Sequence, residues 1–212
     1  VNFDAIAPFY RRLERLVFGG KLQRARCAFV RQIPPARRAL VIGDGDGRFL
    51  EQLRRAQPEL PIDCLDASAR MLALARARVG DENAQYIRAD IRVAAFPARR
   101  YDLIVTNFLL DCFDERELPQ VIETLAAAAS DDAVWLIADF QIPGRGWRRP
   151  AARLLIATMY FFFRIVAGLT TRRLVEFALL LEARGFCLTN SAFSPNEMLR
   201  AQVWRRRMAH PA

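Results

Sequence analysis

Residues 39–140 alternate between short apolar runs and amphipathic stretches, and the first run, Ala39-Leu40-Val41-Ile42, empties into the loop Gly43-Asp44-Gly45-Asp46-Gly47. Runs this apolar, separated by helical segments, predict an α/β chain: a mostly parallel sheet with helices on both faces. Strands are expected at Ala39–Ile42, Ile62–Leu65, Gln85–Arg88, Asp102–Thr106 and Ala133–Asp139, with helices near 47–56, 69–79 and 115–129. At 212 residues the chain suits one such domain and is short for two.

The flanks complete that single domain, 1–212. Residues 1–35 form a helical lead-in: apolar positions at helical spacing (Phe9, Leu13, Leu16, Val17, then Leu22, Ala25, Phe29) are interrupted by Gly19-Gly20 and closed by Pro34-Pro35. Residues 36–140 are the expected ligand-binding core and 141–172 a cap over it, introduced by Pro143-Gly144-Arg145-Gly146. A helix near 172–184 and an antiparallel pair at 186–193 and 198–204 fill 173–212. The apolar stretch 151–169 is uncharged only from Leu154 to Phe163, whereas a membrane-spanning helix needs about 20 apolar residues. It reads as a buried helix, a lid over an apolar substrate or a face for peripheral membrane contact, because Phe161, Phe162 and Phe163 cannot share one helix face.

The formal charge is +9, carried almost wholly by arginine in short pairs and triples along the whole chain, Lys21 being the only lysine. Spread this evenly, the charge reads as a solvated surface more than as a docking face for nucleic acid. Cys27, Cys64, Cys112 and Cys187 form no CxxC pair, and the only histidine is His210, which leaves too few ligands for a zinc site and no Cys/His nucleophile. Apolar neighbours around Cys27, Cys64 and Cys187 favour buried thiols in a reducing compartment. Asp4 and Arg11-Arg12 interrupt any signal-peptide pattern, so a cytoplasmic location is expected.

A strand, a glycine loop and a helix N-terminus present backbone N–H groups to a ligand. The dinucleotide fingerprint would need glycine at Arg48, and the P-loop would need a lysine that is absent. Asp44 and Asp46 would repel a pyrophosphate at close range but favour S-adenosylmethionine, which brings an ammonium and a sulfonium. Asp66 ends the second strand about 20 residues on, where a carboxylate accepts hydrogen bonds from both ribose hydroxyls. Ala89-Asp90-Ile91 ends the third, offering an acceptor for an adenine amino group and an apolar residue for its face.

With these residues in view, the chain resembles the class I methyltransferases, and within them the ubiquinone/menaquinone C-methyltransferase group. Phe3-Asp4-Ala5-Ile6-Ala7-Pro8-Phe9-Tyr10 is similar to that group's opening segment, ALVIGDGDGRFL to its first motif and LDASARMLALAR to its second-strand motif. ARRYDLIVTNFLLDCF, Ala138 to Pro143 and RRLVEFALLLEARGF match the fourth strand, the fifth-strand end and the last helix. The resemblance implies a Rossmann-like, seven-stranded, mostly parallel sheet with one antiparallel strand, and a helical cap after strand 5. It also implies cofactor contacts from Gly43, Asp44, Gly45, Asp46, Gly47, Asp66, Ala67, Met71, Asp90, Ile91, Asn107 and Tyr10. The family usually places an acidic residue two positions before the first glycine; here that residue is Val41, so Asp44 or Asp46 is expected to hold the methionine end.

Methyl transfer from a sulfonium is an in-line displacement in which positioning does much of the work. Asp111 is the candidate base or orienter, with helix N-capping as its alternative role. Asn107 is a candidate polar contact, and Tyr160 a candidate hydrogen-bonding group from the cap. Met159 and Phe161 to Phe163 point to a small lipophilic or aromatic acceptor, quinone-like, phenolic or of another natural-product type, methylated on carbon or oxygen. The alternatives are an RNA methyltransferase and an inactive methyltransferase-fold binding module.

Overall fold

The computed structural model describes residues 18–97, 99–143, 148–167, 171 and 174–207. The expected first lead-in helix, Tyr10, residues 144–147, the side chains of Phe161, Phe162 and Phe163, residues 172 and 173 at the start of the helix foreseen there, and His210 lie outside the described residues.

The chain enters through α1 (Lys21–Arg26), which starts at the Gly19-Gly20 break, and a 3-10 turn at Val30–Gln32 before Pro34-Pro35. There follow β1 (Ala39–Ile42), α2 (Arg48–Ala56), β2 (Ile62–Asp66), α3 (Ala69–Val79) and β3 (Ala84–Arg88). Next come β4 (Tyr101–Asn107), a 3-10 turn at Leu110–Cys112, α4 (Leu118–Ala128) and β5 (Ala129–Phe140). The chain closes with α5 (Arg148–Ala167), α6 (Ala178–Ala183), β6 (Phe186–Phe193) and β7 (Leu199–Arg206). The seven strands form one sheet in the order β3-β2-β1-β4-β5-β7-β6, with β7 antiparallel to both neighbours and the other pairings parallel.

Because successive side chains of a strand point to opposite faces, each buried strand feeds two cores. Val41, Cys64, Leu103, Val105 and Leu136 pack with Phe49, Leu50 and Leu53 of α2 and Leu72 of α3. Leu40, Ile42, Ile104, Trp135 and Ile137 pack on the other face with Val121, Ile122 and Leu125 of α4. Trp135 is fully buried there, its indole N–H donating to Thr106 Oγ1 at 2.9 Å. Helix α3 is capped by Ser68, whose hydroxyl accepts from Met71 N at 3.1 Å, and Gly80 follows its end with φ +82°.

Two expectations need correcting. The helix foreseen over 172–184 is only Ala178–Ala183, because Leu174 to Phe177 run without helical structure as a wall: Leu174 packs on the cap and Val175 and Phe177 on the α4 core, a split no single helix face allows. β5 starts at Ala129 rather than Ala133, because Ala129 pairs with Tyr101 across a register shift that periodicity alone does not signal. The apolar stretch forms α5, whose Ile156 and Tyr160, one helical turn apart, are buried with Met198 while Leu154 stays exposed. Among the described residues no helix is long and apolar enough to cross a membrane.

Candidate active site

β2 and β3 lie to one side of β1, and β4 and β5 to the other. At such a switch point neighbouring loops leave on opposite faces and open a crevice at the carboxyl ends of the strands. Here the crevice is a cleft of about 800 Å³, mouth included. Gly43, Asp44 and Gly45 line it after β1, Asp66 and Ala67 at the end of β2, Asp90 and Ile91 after β3, and Asn107 at the end of β4, with Met71 and Arg26 at its sides.

The glycine loop holds its shape for steric reasons. At Gly47 φ is +78°, and a Cβ there would lie 2.6 Å from Ala75 Cα, so only glycine lets α2 start against α3. The turn sends the two loop aspartates to different places. Asp44 Oδ2 accepts the Leu50 N–H at 2.9 Å, whereas its Oδ1 is buried and meets no donor. Burial, the largest influence, pushes this carboxyl up to about 7, with the Leu50 N–H and the Arg26 charge pulling it back. Asp46 does not line the cleft: it accepts from Arg48 Nε at 2.8 Å and Arg78 Nη2 at 3.3 Å, tying α2 to α3. Val41, in place of an acidic residue, is fully buried in the core under α2.

Asp66 Oδ1 accepts the Ser68 N–H at 2.8 Å, which fixes its side chain over the β2–α3 turn. Asp90 is gripped by Arg92, with Nη2 to Oδ2 at 2.6 Å and Nε to Oδ1 at 3.0 Å, and these bonds hold it below the usual carboxylate range. Asn107 is buried and its Nδ2 has no acceptor. Phe108, next to it, takes φ +54°, an uncommon backbone for phenylalanine, and its ring stacks between Phe140 (5.1 Å) and the Arg26 guanidinium (5.0 Å).

Asp111 and Tyr160 lie outside the cleft lining. Asp111 is buried in the 3-10 turn and faces a second cavity together with Asp139. It caps no helix; Asp114 fills that role for the turn into α4, accepting from Arg116 N at 2.8 Å and Glu117 N at 3.0 Å. Tyr160 donates to the Asp111 carbonyl at 3.4 Å, and burial raises its hydroxyl so far that it acts as a donor and not a base. Cys112 stands between the two spaces, lining the cleft and placing its Sγ–H 3.7 Å from Asp111 Oδ1. Among the described residues no group of three or more His, Cys, Asp or Glu side chains can hold a metal ion.

Sequence reasoning did not single out Arg26, Asp139, Arg200 or Gln202. Asp139 stands one residue before the end of β5, close to where Asp66 stands on β2, so a rule that looks for carboxylates near strand ends would have found it. Arg26 is one of many arginines, and only the fold distinguishes it by burying it beside Asp44.

Comparison with known proteins agrees with this geometry. Residues 39–132 match the family described as a methyltransferase domain. The demethylmenaquinone methyltransferase of Thermotoga maritima is 30% identical over 117 residues, which are 54% of this chain and 50% of that protein. Its counterpart from Roseiflexus sp. is 26% identical over 176 residues, 81% of this chain and 69% of that protein. The alignment therefore spans half the length of the Thermotoga relative. The Burkholderia thailandensis 1,6-didemethyltoxoflavin-N1-methyltransferase, solved with S-adenosylhomocysteine, shares the fold with a TM-score of 0.67 at 15% identity, over 95% of this chain and 84% of that one. Over residues 39–132 the chain is thus similar to methyltransferase domains, and it shares the fold of a solved methyltransferase.

S-adenosylmethionine carries a zwitterionic amino acid, and the cleft fits that requirement on its own terms. Its two unsatisfied buried polar atoms are of opposite kind: Asp44 Oδ1 can only accept while ionised, and Asn107 Nδ2 can only donate. Buried polar groups without partners are uncommon in folded chains, and two of complementary type in one cleft are what a ligand with both an ammonium and a carboxylate satisfies.

Proposed function

We propose that this chain transfers a methyl group from S-adenosylmethionine to a small lipophilic or aromatic acceptor, on carbon or oxygen. The observation that carries the reading is the unsatisfied Asp44 Oδ1 in a cleft that also holds Asp66 at the end of β2. In this reading Asp44 receives the ammonium of the methionine end. Arg26, buried and adjacent, receives its carboxylate together with Asn107. Asp66 accepts from the ribose hydroxyls. Asp90 keeps lone-pair capacity beyond its bonds to Arg92 and accepts from the adenine amino group, while Ile91 and Met71 pack on the ring. The loop glycines let the cofactor backbone approach, and Asp46 supports them from behind through Arg48 and Arg78.

S-adenosylmethionine supplies an electrophilic methyl group on a sulfonium. The chain's part is to hold the acceptor in line and keep water out, which can contribute several kcal/mol to the rate. Phe108, Phe113 and Leu109 supply apolar walls on the β4 side of the cleft. The relatives support a small acceptor, being named for demethylmenaquinone and 1,6-didemethyltoxoflavin.

Titration calorimetry with S-adenosylhomocysteine tests the reading. Saturable binding is expected; no heat and no thermal shift at millimolar ligand would remove it.

A further inference from the structure

A second cavity, about 660 Å³ with its mouth, lies between the end of β5, the start of β7 and the wall formed by 174–177. Ile142, Leu174, Val175 and Phe177 give it apolar walls, and six polar residues line it as well: Gln141 and Glu176, and the four that matter below, Asp111, Asp139, Arg200 and Gln202. Asp139 is 3% exposed and Asp111 7%. Neither oxygen of Asp139 has a well-formed hydrogen bond; the groups nearest to acting on it are the Asp111 carboxyl, which raises it, and the backbone N–H groups of Asp111 and Phe140, which pull it back. Two carboxyls that face one buried cavity oppose each other's ionisation, which favours a pair holding one proton. Burial raises both groups, and the charge of Asp111 raises Asp139 further.

The donors stand opposite. Asp139 and Arg200 are direct partners across β5 and β7, and Gln202 lies two residues further on the same face. Gln202 is 2% exposed and its Nε2 has no acceptor, nor has the buried Nε of Arg200. The wall thus offers a pair able to take one more proton and two N–H groups able to give hydrogen bonds. Cys112, which lines the cofactor cleft, also touches Asp111, its Sγ 3.7 Å from Oδ1.

We propose that this cavity is the acceptor subsite, built for a ring with two neighbouring oxygens of which at least one is a hydroxyl. Gln202 and Arg200 donate to one oxygen, and the Asp111–Asp139 pair accepts the hydroxyl hydrogen of the other. On ionisation the O–H bond breaks and its proton joins the pair, which passes from one negative charge to none. The bonding electrons stay on the acceptor oxygen and its conjugated ring, the nucleophile that methylation requires. This inference rests on the methyltransferase reading.

The test uses the full chain saturated with S-adenosylhomocysteine, probed with 2,3-dihydroxynaphthalene and with 2,3-dimethoxynaphthalene, which keeps the oxygens and loses both hydroxyls. The diol is expected to bind at least about tenfold more tightly, the factor a single well-formed hydrogen bond to charge provides. In D111N/D139N, where neither carboxamide can take a proton, that preference is expected to vanish while S-adenosylhomocysteine affinity stays within about twofold. Should the double variant fail to fold, Gln202→Leu is expected to weaken the diol at least about threefold. Equal affinity for the two probes, no binding of either, or a preference that survives these substitutions overturns the inference. Failure to bind S-adenosylhomocysteine sinks the methyltransferase reading instead, so the two failures are told apart in one sample.

Discussion

Asp44 and Leu50 are joined by one hydrogen bond, the Leu50 N–H to Oδ2 at 2.9 Å, and that bond leaves the other carboxylate oxygen buried without a donor. The carboxyl is held up to about 7, mainly by burial. An ammonium favours the ionised form, and protonation competes with it. Affinity for S-adenosylhomocysteine is therefore expected to be flat above about pH 7 and to fall below it, by up to about tenfold per pH unit. Calorimetry across that range measures it. Asp44→Asn should bind more weakly and lose this slope; a wild-type affinity independent of pH would remove Asp44 from the ammonium site.

Gly47 meets Ala75 where α2 begins, with φ +78° and room for no side chain. Gly47→Ala would need both a left-handed alanine, costing about 1–3 kcal/mol, and a shift of α3 backbone. A stability loss of at least about 2 kcal/mol is expected in urea unfolding, larger than for Gly45→Ala, whose nearest contact is the flexible Met71 Sδ at 3.9 Å.

Asp66 and Asp46 look alike in sequence and differ in place. Asp66→Ala is expected to weaken S-adenosylhomocysteine by about 1–3 kcal/mol with little change in stability, through loss of a charged acceptor. Asp46→Ala removes the tie to Arg48 and Arg78 and is expected to lower the melting temperature first. Calorimetry paired with thermal melts separates the two, and equal effects on affinity would return Asp46 to the cleft.

These differences show what the sequence could carry. β1 is read correctly to the residue and α3 likewise, because β1 is continuously apolar between polar neighbours and α3 has Ser68 and Gly80 at its ends. The strand-end aspartates were visible for the same reason: an apolar run that stops at a carboxylate marks the rim of a parallel sheet. Which of Asp44 and Asp46 lines the cleft was not visible, since it depends on the positive φ of Gly45 and Gly47 and on arginines 2 and 32 residues away from Asp46. The second cavity was hidden more deeply. Asp111, Asp139, Arg200 and Gln202 come from three separate segments, brought together only by the pairing of β5 with β7 and the turn after β4. The +9 charge says little about the cleft itself. The cleft holds three acids, Asp44, Asp66 and Asp90, against Arg26 and Arg92, while Arg54 spends its charge on the carbonyls of Leu60 and Glu82.

At the opposite, amino end of the strands, Asp63 is 2% exposed and accepts from three donor groups of two residues: Arg38 Nη2 at 2.7 Å and Nε at 3.1 Å, and the Tyr101 hydroxyl at 2.6 Å. These bonds clamp β2 to the residue before β1 and to the start of β4. Asp63→Ala strands a guanidinium and a phenol that were folded around a carboxylate. Breaking a buried pair from one side costs about 3–5 kcal/mol, and since the Arg38 side chain keeps 28% exposure and can regain water, about 2–4 kcal/mol is expected here. Arg38→Met alone should also destabilise, because Asp63 keeps its charge with only Tyr101 and the more distant Arg100, at 3.9 Å, to answer it. Removing both partners, as Asp63→Ala with Arg38→Met, should cost less than the sum of the single changes, since no charge is then left buried. Urea unfolding of the four proteins closes the cycle. Additive losses would mean that Arg38 and Asp63 stabilise the sheet independently, and that the clamp is one of packing instead of charge.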